Sequence, residues 1–182
     1  MKTKFFLSVF AFTFTVSLFL FHSPAHHAHA SEYSEDLNMT DAAGLRQGHW
    51  TITAMMMNRE GYPSPTAIVL EGNYINNKRE GTWIEYYPNG KKKSELIYWN
   101  DVLDGLCKTF YPDGKMRAEL YYKNNLPNGV SKTYYPDEKL WTKFTWKNGR
   151  LDGPAKTYHP NGKMCEEGTW LHNWWSGEYK IY

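Results

Sequence analysis

The chain has 182 residues, 17% of them aromatic, and a formal net charge of +2. That excess belongs to Lys2 and Lys4, because residues 31–182 carry 19 basic and 19 acidic side chains. Such a balance excludes a nucleic-acid partner and gives little long-range attraction to anionic lipid. The first element in chain order is a leader. Two lysines precede an apolar run from Phe5 to Phe21, and "HSPAHHAHA" closes it with the small-x-small site Ala28-His29-Ala30. This reads as a signal peptide over 1–30 and predicts an exported protein of the periplasm, the cell envelope or the extracellular medium. The run is 17 residues long, at the short limit for a membrane-spanning helix, and a cleavage-type sequence follows it directly. A metal-like tract of His22, His26, His27 and His29 falls inside the leader. About 150 residues then remain, which suits one domain.

Residues 31–47 read as a polar lead-in, and from residue 48 the chain is periodic. Gly81, Gly105, Gly129, Gly153 and Gly177 are spaced 24 residues apart without slippage. Counting from each glycine as zero, position five is aromatic (Tyr86, Phe110, Tyr134, Tyr158, Tyr182) and position ten is lysine. Position seventeen is aromatic again (Tyr74, Tyr98, Tyr122, Trp146, Trp170). Between positions five and ten stand Pro88-Asn89-Gly90, Pro112-Asp113-Gly114, Pro136-Asp137 followed by Glu138, and Pro160-Asn161-Gly162. Proline presets the first central residue of a type I turn, Asn or Asp suits the second, and glycine takes the left-handed position. The string therefore predicts a β-hairpin with a three-residue loop and a glycine bulge. Each unit is one hairpin. Units start at 48, 81, 105, 129 and 153, and a partial one starts at 177. The first carries nine extra residues, expected as a longer turn around "NREGYPSPT". Successive hairpins join through Asn-Asn, Asn-Asp and Asn-Gly pairs, which are turn formers.

Simple alternation places positions three, five, eleven, fifteen and seventeen on one face. The other face then holds a carboxylate row (Glu71, Glu95, Glu119, Glu167) together with Trp83 and Trp141. The expected fold is all-β: an extended single-layer antiparallel sheet of stacked hairpins, with roughly eleven strands. Repeat-to-repeat contacts must stabilise such a sheet.

The pattern G-x-W-x-x-Y-Y-P-N-G-K … Y-x-N, seen whole from Gly81 to Asn100, resembles the bacterial variant of the MORN (membrane occupation and recognition nexus) repeat. The resemblance spans about 48–182. It implies a curved or twisted sheet of hairpins, roles in scaffolding and binding, and no catalytic residue to carry over. Some bacterial members carry an antitoxin label, and a neutraliser of a cytosolic toxin would not need an export leader. Glu138 departs from the pattern, since a side chain in the left-handed region costs roughly 1 kcal/mol. That turn is expected to relax to another type.

Candidate chemistry is sparse. The glutamates of the row recur one repeat apart, about 10 Å, too far for one Ca²⁺ at its usual ~2.4 Å. His159 and His172 replace a Tyr and an Asn of the pattern and have no partner in spacing. Cys107 and Cys165 stand about five strands apart in the stack and are expected to be free thiols. No nucleophile–base or acid pair has spacing support, so no enzyme activity, metal or cofactor is expected. The irregular tryptophans Trp83, Trp99, Trp141, Trp174 and Trp175 are the candidate contact residues. Exposed indoles anchor protein or glycan partners well. The sequence thus points to an exported, non-enzymatic repeat protein with a protein partner. Glycan or peptidoglycan binding and toxin neutralisation are the alternatives.

Overall fold

The structure, a computed structural model, describes residues 37–182. The leader and residues 31–36 lie outside that range. The fourteen strands are β1 (Met39–Thr40), β2 (Arg46–Thr53), β3 (Ile68–Ile75), β4 (Lys78–Tyr86), β5 (Lys92–Trp99), β6 (Val102–Leu103) and β7 (Gly105–Phe110). They continue with β8 (Met116–Lys123), β9 (Leu126–Tyr134), β10 (Leu140–Lys147), β11 (Arg150–Tyr158), β12 (Met164–Leu171), β13 (Trp174–Trp175) and β14 (Lys180–Ile181). They form one antiparallel sheet in the order β1-β2-β3-β4-β5-β7-β8-β9-β10-β11-β12-β13, with β6 on β5 and β14 on β12. There are more segments than the expected eleven because the ladder breaks near Gly105 and Gly177, and because β1 adds to the lead-in end. The stretch 39–47 is therefore not a bare lead-in: Met39 pairs with Gln47 and Thr40 with Arg46.

Both kinds of turn follow from local chemistry. At the hairpin loops, Tyr87 N–H donates to the Lys91 carbonyl and Gly90 N–H to the Tyr87 carbonyl, and the arrangement recurs in each later unit. Gly90, Gly114 and Gly162 have φ of 77°, 93° and 82°. Glu138 does not relax its turn as expected. It holds φ 67°, and its N–H still reaches the Tyr135 carbonyl at 2.8 Å. The stacked turns on either side over-determine the strained residue. At the joints, Asn76/Asn77, Asn100/Asp101, Asn124/Asn125, Asn148/Gly149 and His172/Asn173 all have positive φ. Two successive left-handed residues make the two-residue I′ turn, for which Asn is well suited.

The face assignment read from alternation needs correction. Pairing runs Glu85↔Ser94 and then Tyr86↔Lys92, so Lys93 is an extra residue. Arg117, Trp141 and Cys165 are extra in the same way in later hairpins, and Val69 in the first. One bulge residue moves everything beyond it to the opposite face. Position five therefore shares a face with position three and the carboxylate row. Positions fifteen and seventeen share the other face with position two. The two aromatic rows lie on opposite faces of the sheet, not on one.

The core sits on the second face. Tyr74, Trp83 and Tyr98 are buried, with Trp50, Ile52, Leu70, Leu96 and Leu103 packed against them. A single layer covers these rings partly with long side chains. The Arg46 guanidinium lies 3.9 Å from the Tyr74 ring centre and that of Arg79 3.8 Å from Tyr98, where charge attracts the ring face and the stems shield it. At the joint edge, Asn77, Asp101, Asn125 and Asn173 side chains accept from the N–H of Arg46, Arg79, Leu103 and Leu151, each a strand away. At the remaining joint the acceptor is replaced by Gly149, and the facing residue is Pro127, which has no N–H to satisfy.

Candidate partner-binding surfaces

Four surfaces carry the polar and aromatic groups not used by the core. The first is the hairpin-turn edge. Here the hydroxyls of Tyr62, Tyr87, Tyr111 and Tyr135 donate to the carbonyls of Tyr86, Phe110, Tyr134 and Tyr158. Lys115 and Lys139 reach the carbonyls of Pro136 and Pro160. Each turn is thus bound to the next, which rigidifies the edge. Tyr62 belongs to the long first loop, residues 54–67, yet makes the same bond as the repeat tyrosines. Between that loop and the turn at 87–90 lies a cleft of about 560 Å³, lined mainly by Tyr62, Tyr86, Tyr87, Pro63 and Pro88. Met55, Met56 and Met57 stand exposed on the same loop.

The second surface is the carboxylate face. Lys132 Nζ lies 2.7 Å from Glu119 Oε1, and the Tyr134 hydroxyl donates to the same oxygen at 3.0 Å. Lys156 and the Tyr182 hydroxyl hold Glu167 at 3.0 and 2.5 Å, and the Tyr86 hydroxyl donates to Glu71. The Lys132 ammonium holds the Glu119 carboxyl below the usual range, against the opposing effect of burial, with help from Tyr134. Burial, then the hydrogen bond and charge of Glu71, push Tyr86 up to about 12. Lysine–carboxylate pairing accounts for Glu95, Glu119 and Glu167, and Tyr86 with His49 for Glu71. Among the described residues no three His, Cys, Asp or Glu side chains gather as a metal site would require.

The third surface comprises the tryptophans, and it corrects one expectation. Trp83 is not a surface anchor: it is 2% exposed. Its ring meets Tyr74 edge-on at 4.7 Å, and its Nε1 donates to the Asn73 carbonyl at 3.1 Å. The ring lies over Gly72, where an added Cβ would come within 2.4 Å of it. A sequence signal existed, since its repeat mates Cys107, Ser131 and Ala155 are small and all buried. The other four are exposed: Trp99 by 59%, Trp141 by 48%, Trp174 by 78% and Trp175 by 48%. Trp141 is a bulge residue stacked on Tyr135 at 5.5 Å. Trp175 packs on Trp170 at 4.3 Å and on Tyr179 at 4.6 Å, covering Gly168 as Trp83 covers Gly72. Trp99 and Trp174 flank separate joint turns. Trp174 and Trp175 are neighbours in β13, whereas Trp99 ends β5 and Trp141 lies in β10, so the four do not form one patch.

The fourth surface is the joint edge near the C-terminal end, where Lys147, Asn148, Arg150, Asp152 and His172 line a cleft of about 320 Å³. His172 Nε2 lies 3.3 Å from Asp152 Oδ2. The cysteines are free: Cys107 is buried and Cys165 half-buried, and burial pushes the Cys107 thiol up. No described helix is long and apolar enough to cross a membrane.

Comparison with known proteins follows the same periodicity. A family model described as a MORN repeat variant matches residues 79–100, 103–124, 127–148 and 151–172. Each matched stretch starts two residues before a repeat glycine and ends on the first residue of a joint turn. No curated protein matches the chain. Among solved structures, the crystal structure of TarM aligns at 12% identity with a TM-score of 0.34. That alignment covers 50% of this chain and 18% of the other, so the chain spans under a fifth of that protein's length.

Proposed function

Because the chain belongs to the MORN repeat variant family, we propose that it is an exported, non-enzymatic interaction module that docks a protein partner at the cell envelope. Repeats of this family serve protein and membrane interaction. Export rests on the leader composition of residues 1–30. Protein docking rests on one observation above all, the exposed Trp99, Trp141, Trp174 and Trp175 on a sheet whose turns are bound to one another. Large rings held on a rigid frame lose little conformational freedom on binding, and truncated interface tryptophans are among the costliest losses.

The test is cross-linking in the native cell. A photoreactive residue is placed at Trp141 or at Trp174, and the adducts are identified by mass spectrometry. One recurrent envelope protein is the expected product. Adducts indistinguishable from those of a probe at Lys163, on a hairpin turn, would reject docking through these rings. The same exposed rings also favour a second reading, glycan binding, because indoles stack on sugar faces. Titration of cell-wall fragments against tryptophan fluorescence separates the two, and a flat titration rejects the glycan.

A further inference from the structure

The joint-edge cleft between the turns at 148–149 and 172–173 differs from its counterparts along the sheet. Its two flanking positions are Lys147 and Arg150, where earlier joints carry Ile75 and Lys78, Trp99 and Val102, and Lys123 and Leu126. Both are basic at this joint alone among those four. Neither has an ion-pair partner among the described residues, and both are exposed. The inner wall differs too. Gln47, Glu80 and Asp104 accept the N–H of Asn76, Asn100 and Asn124 at three earlier joints, whereas Asn128, at the joint directly before, makes no such bond to Asn148. Asp152, in the same position, instead lies against the His172 imidazole at 3.3 Å. The cleft holds about 320 Å³ of space, and Lys147 and Arg150 are among the residues that line it. Directly beyond the His172–Asn173 turn, Trp174 pairs with Leu171, and both are exposed. Leu171 and Trp174 hold the positions of Lys147 and Arg150 one repeat on, so two free cations, an exposed indole and an isobutyl group follow one another along the same edge of the sheet, the Arg-and-Trp chemistry of interface hot spots.

We propose that this cleft binds an acidic segment of the protein partner, one carboxylate entering between Lys147 and Arg150 while an adjoining apolar side chain packs on Trp174 and Leu171. The inference rests on the protein-docking reading above and names the chemistry of what docks. Charge complementarity selects the occupant. Asp152 on the inner wall opposes a phosphate dianion more strongly than a single carboxylate, and the net balance of 31–182 leaves no broad positive field for a membrane. A carboxylate also matches the planar fork of Arg150.

The experiment measures fluorescence anisotropy of a fluorescein-labelled peptide alternating glutamate and leucine, against its lysine-for-glutamate counterpart, at constant ionic strength. The acidic peptide is expected to saturate and the basic one not. The K147E/R150E variant should weaken binding by about tenfold or more, since a like charge now faces the ligand. Trp174→Ala should weaken it as well. Lys123→Glu, one joint earlier, should leave it unchanged, and circular dichroism confirms that each variant keeps its sheet. Equal binding of the two peptides, or an unaffected K147E/R150E variant, overturns the proposal. So does capture of inorganic phosphate or phosphatidylserine vesicles in preference to the peptide. Native-cell cross-links confined to Trp141, with no acidic-peptide binding, would retain the docking function and reject this site.

Discussion

Tyr86 illustrates how much a single residue here depends on its neighbours across the sheet. Its neutral form is the one the fold favours, because burial and the Glu71 carboxylate both oppose the phenolate. Stability from this contact is complete below the ordinary pKa of 10 and is lost as pH rises through about 12. The melting temperature should therefore fall across that window, and Tyr86→Phe should flatten part of the fall. An unchanged alkaline profile in the variant would show that the contact contributes nothing. Glu138 offers a second test. It sits at φ 67° where the other hairpin loops have glycine, so Glu138→Gly should raise the unfolding free energy by about 1 kcal/mol in urea titration. The turn type was legible from Pro136 and Asp137. The tolerance of the strained glutamate was not, because the bonds that hold that turn come from the units on either side.

At the level of the hairpin, the residue that decides most is the least conspicuous. Lys93 and Arg117 are basic but Trp141 and Cys165 at the same position are not, so no constant residue type in the sequence marks them as bulges. Their effect is large, since each reverses the faces for the rest of its strand and brings the tyrosine row onto the carboxylates. Alternation alone therefore placed Trp83 with the polar residues, whereas the ladder turns it into the core. Gly72 is the matching half of that contact. In Gly72→Ala the new methyl would meet the Trp83 ring at 2.4 Å, well inside contact distance. The ring must then move, at a cost of about 1–3 kcal/mol. Chemical denaturation and the tryptophan emission maximum both report it. A wild-type midpoint with an unshifted spectrum would mean that the ring does not close over this glycine. The joints, in contrast, were readable as turns from their Asn pairs, because left-handed backbone is a local property of those residues.

Across the whole sheet, the constant 24-residue spacing makes the central units interchangeable. Each turn tyrosine bonds the carbonyl 23 residues on, so removing a whole unit restores every such bond with the next. In-frame deletion of residues 105–128 should yield a folded β-protein with a lower melting temperature, as expected when stability is summed over nearest neighbours. Loss of the β signal would show that the units are not equivalent. Hairpin count, turn chemistry and stacking order were determined by the sequence alone, because they depend on short-range backbone preferences repeated at fixed intervals. Which rings are buried, which face each row occupies, and which joint carries a basic cleft were decided by the tertiary structure. Those properties depend on the bulge in each ladder and on side chains reaching across from neighbouring strands, and neither leaves a mark at the position whose fate it sets.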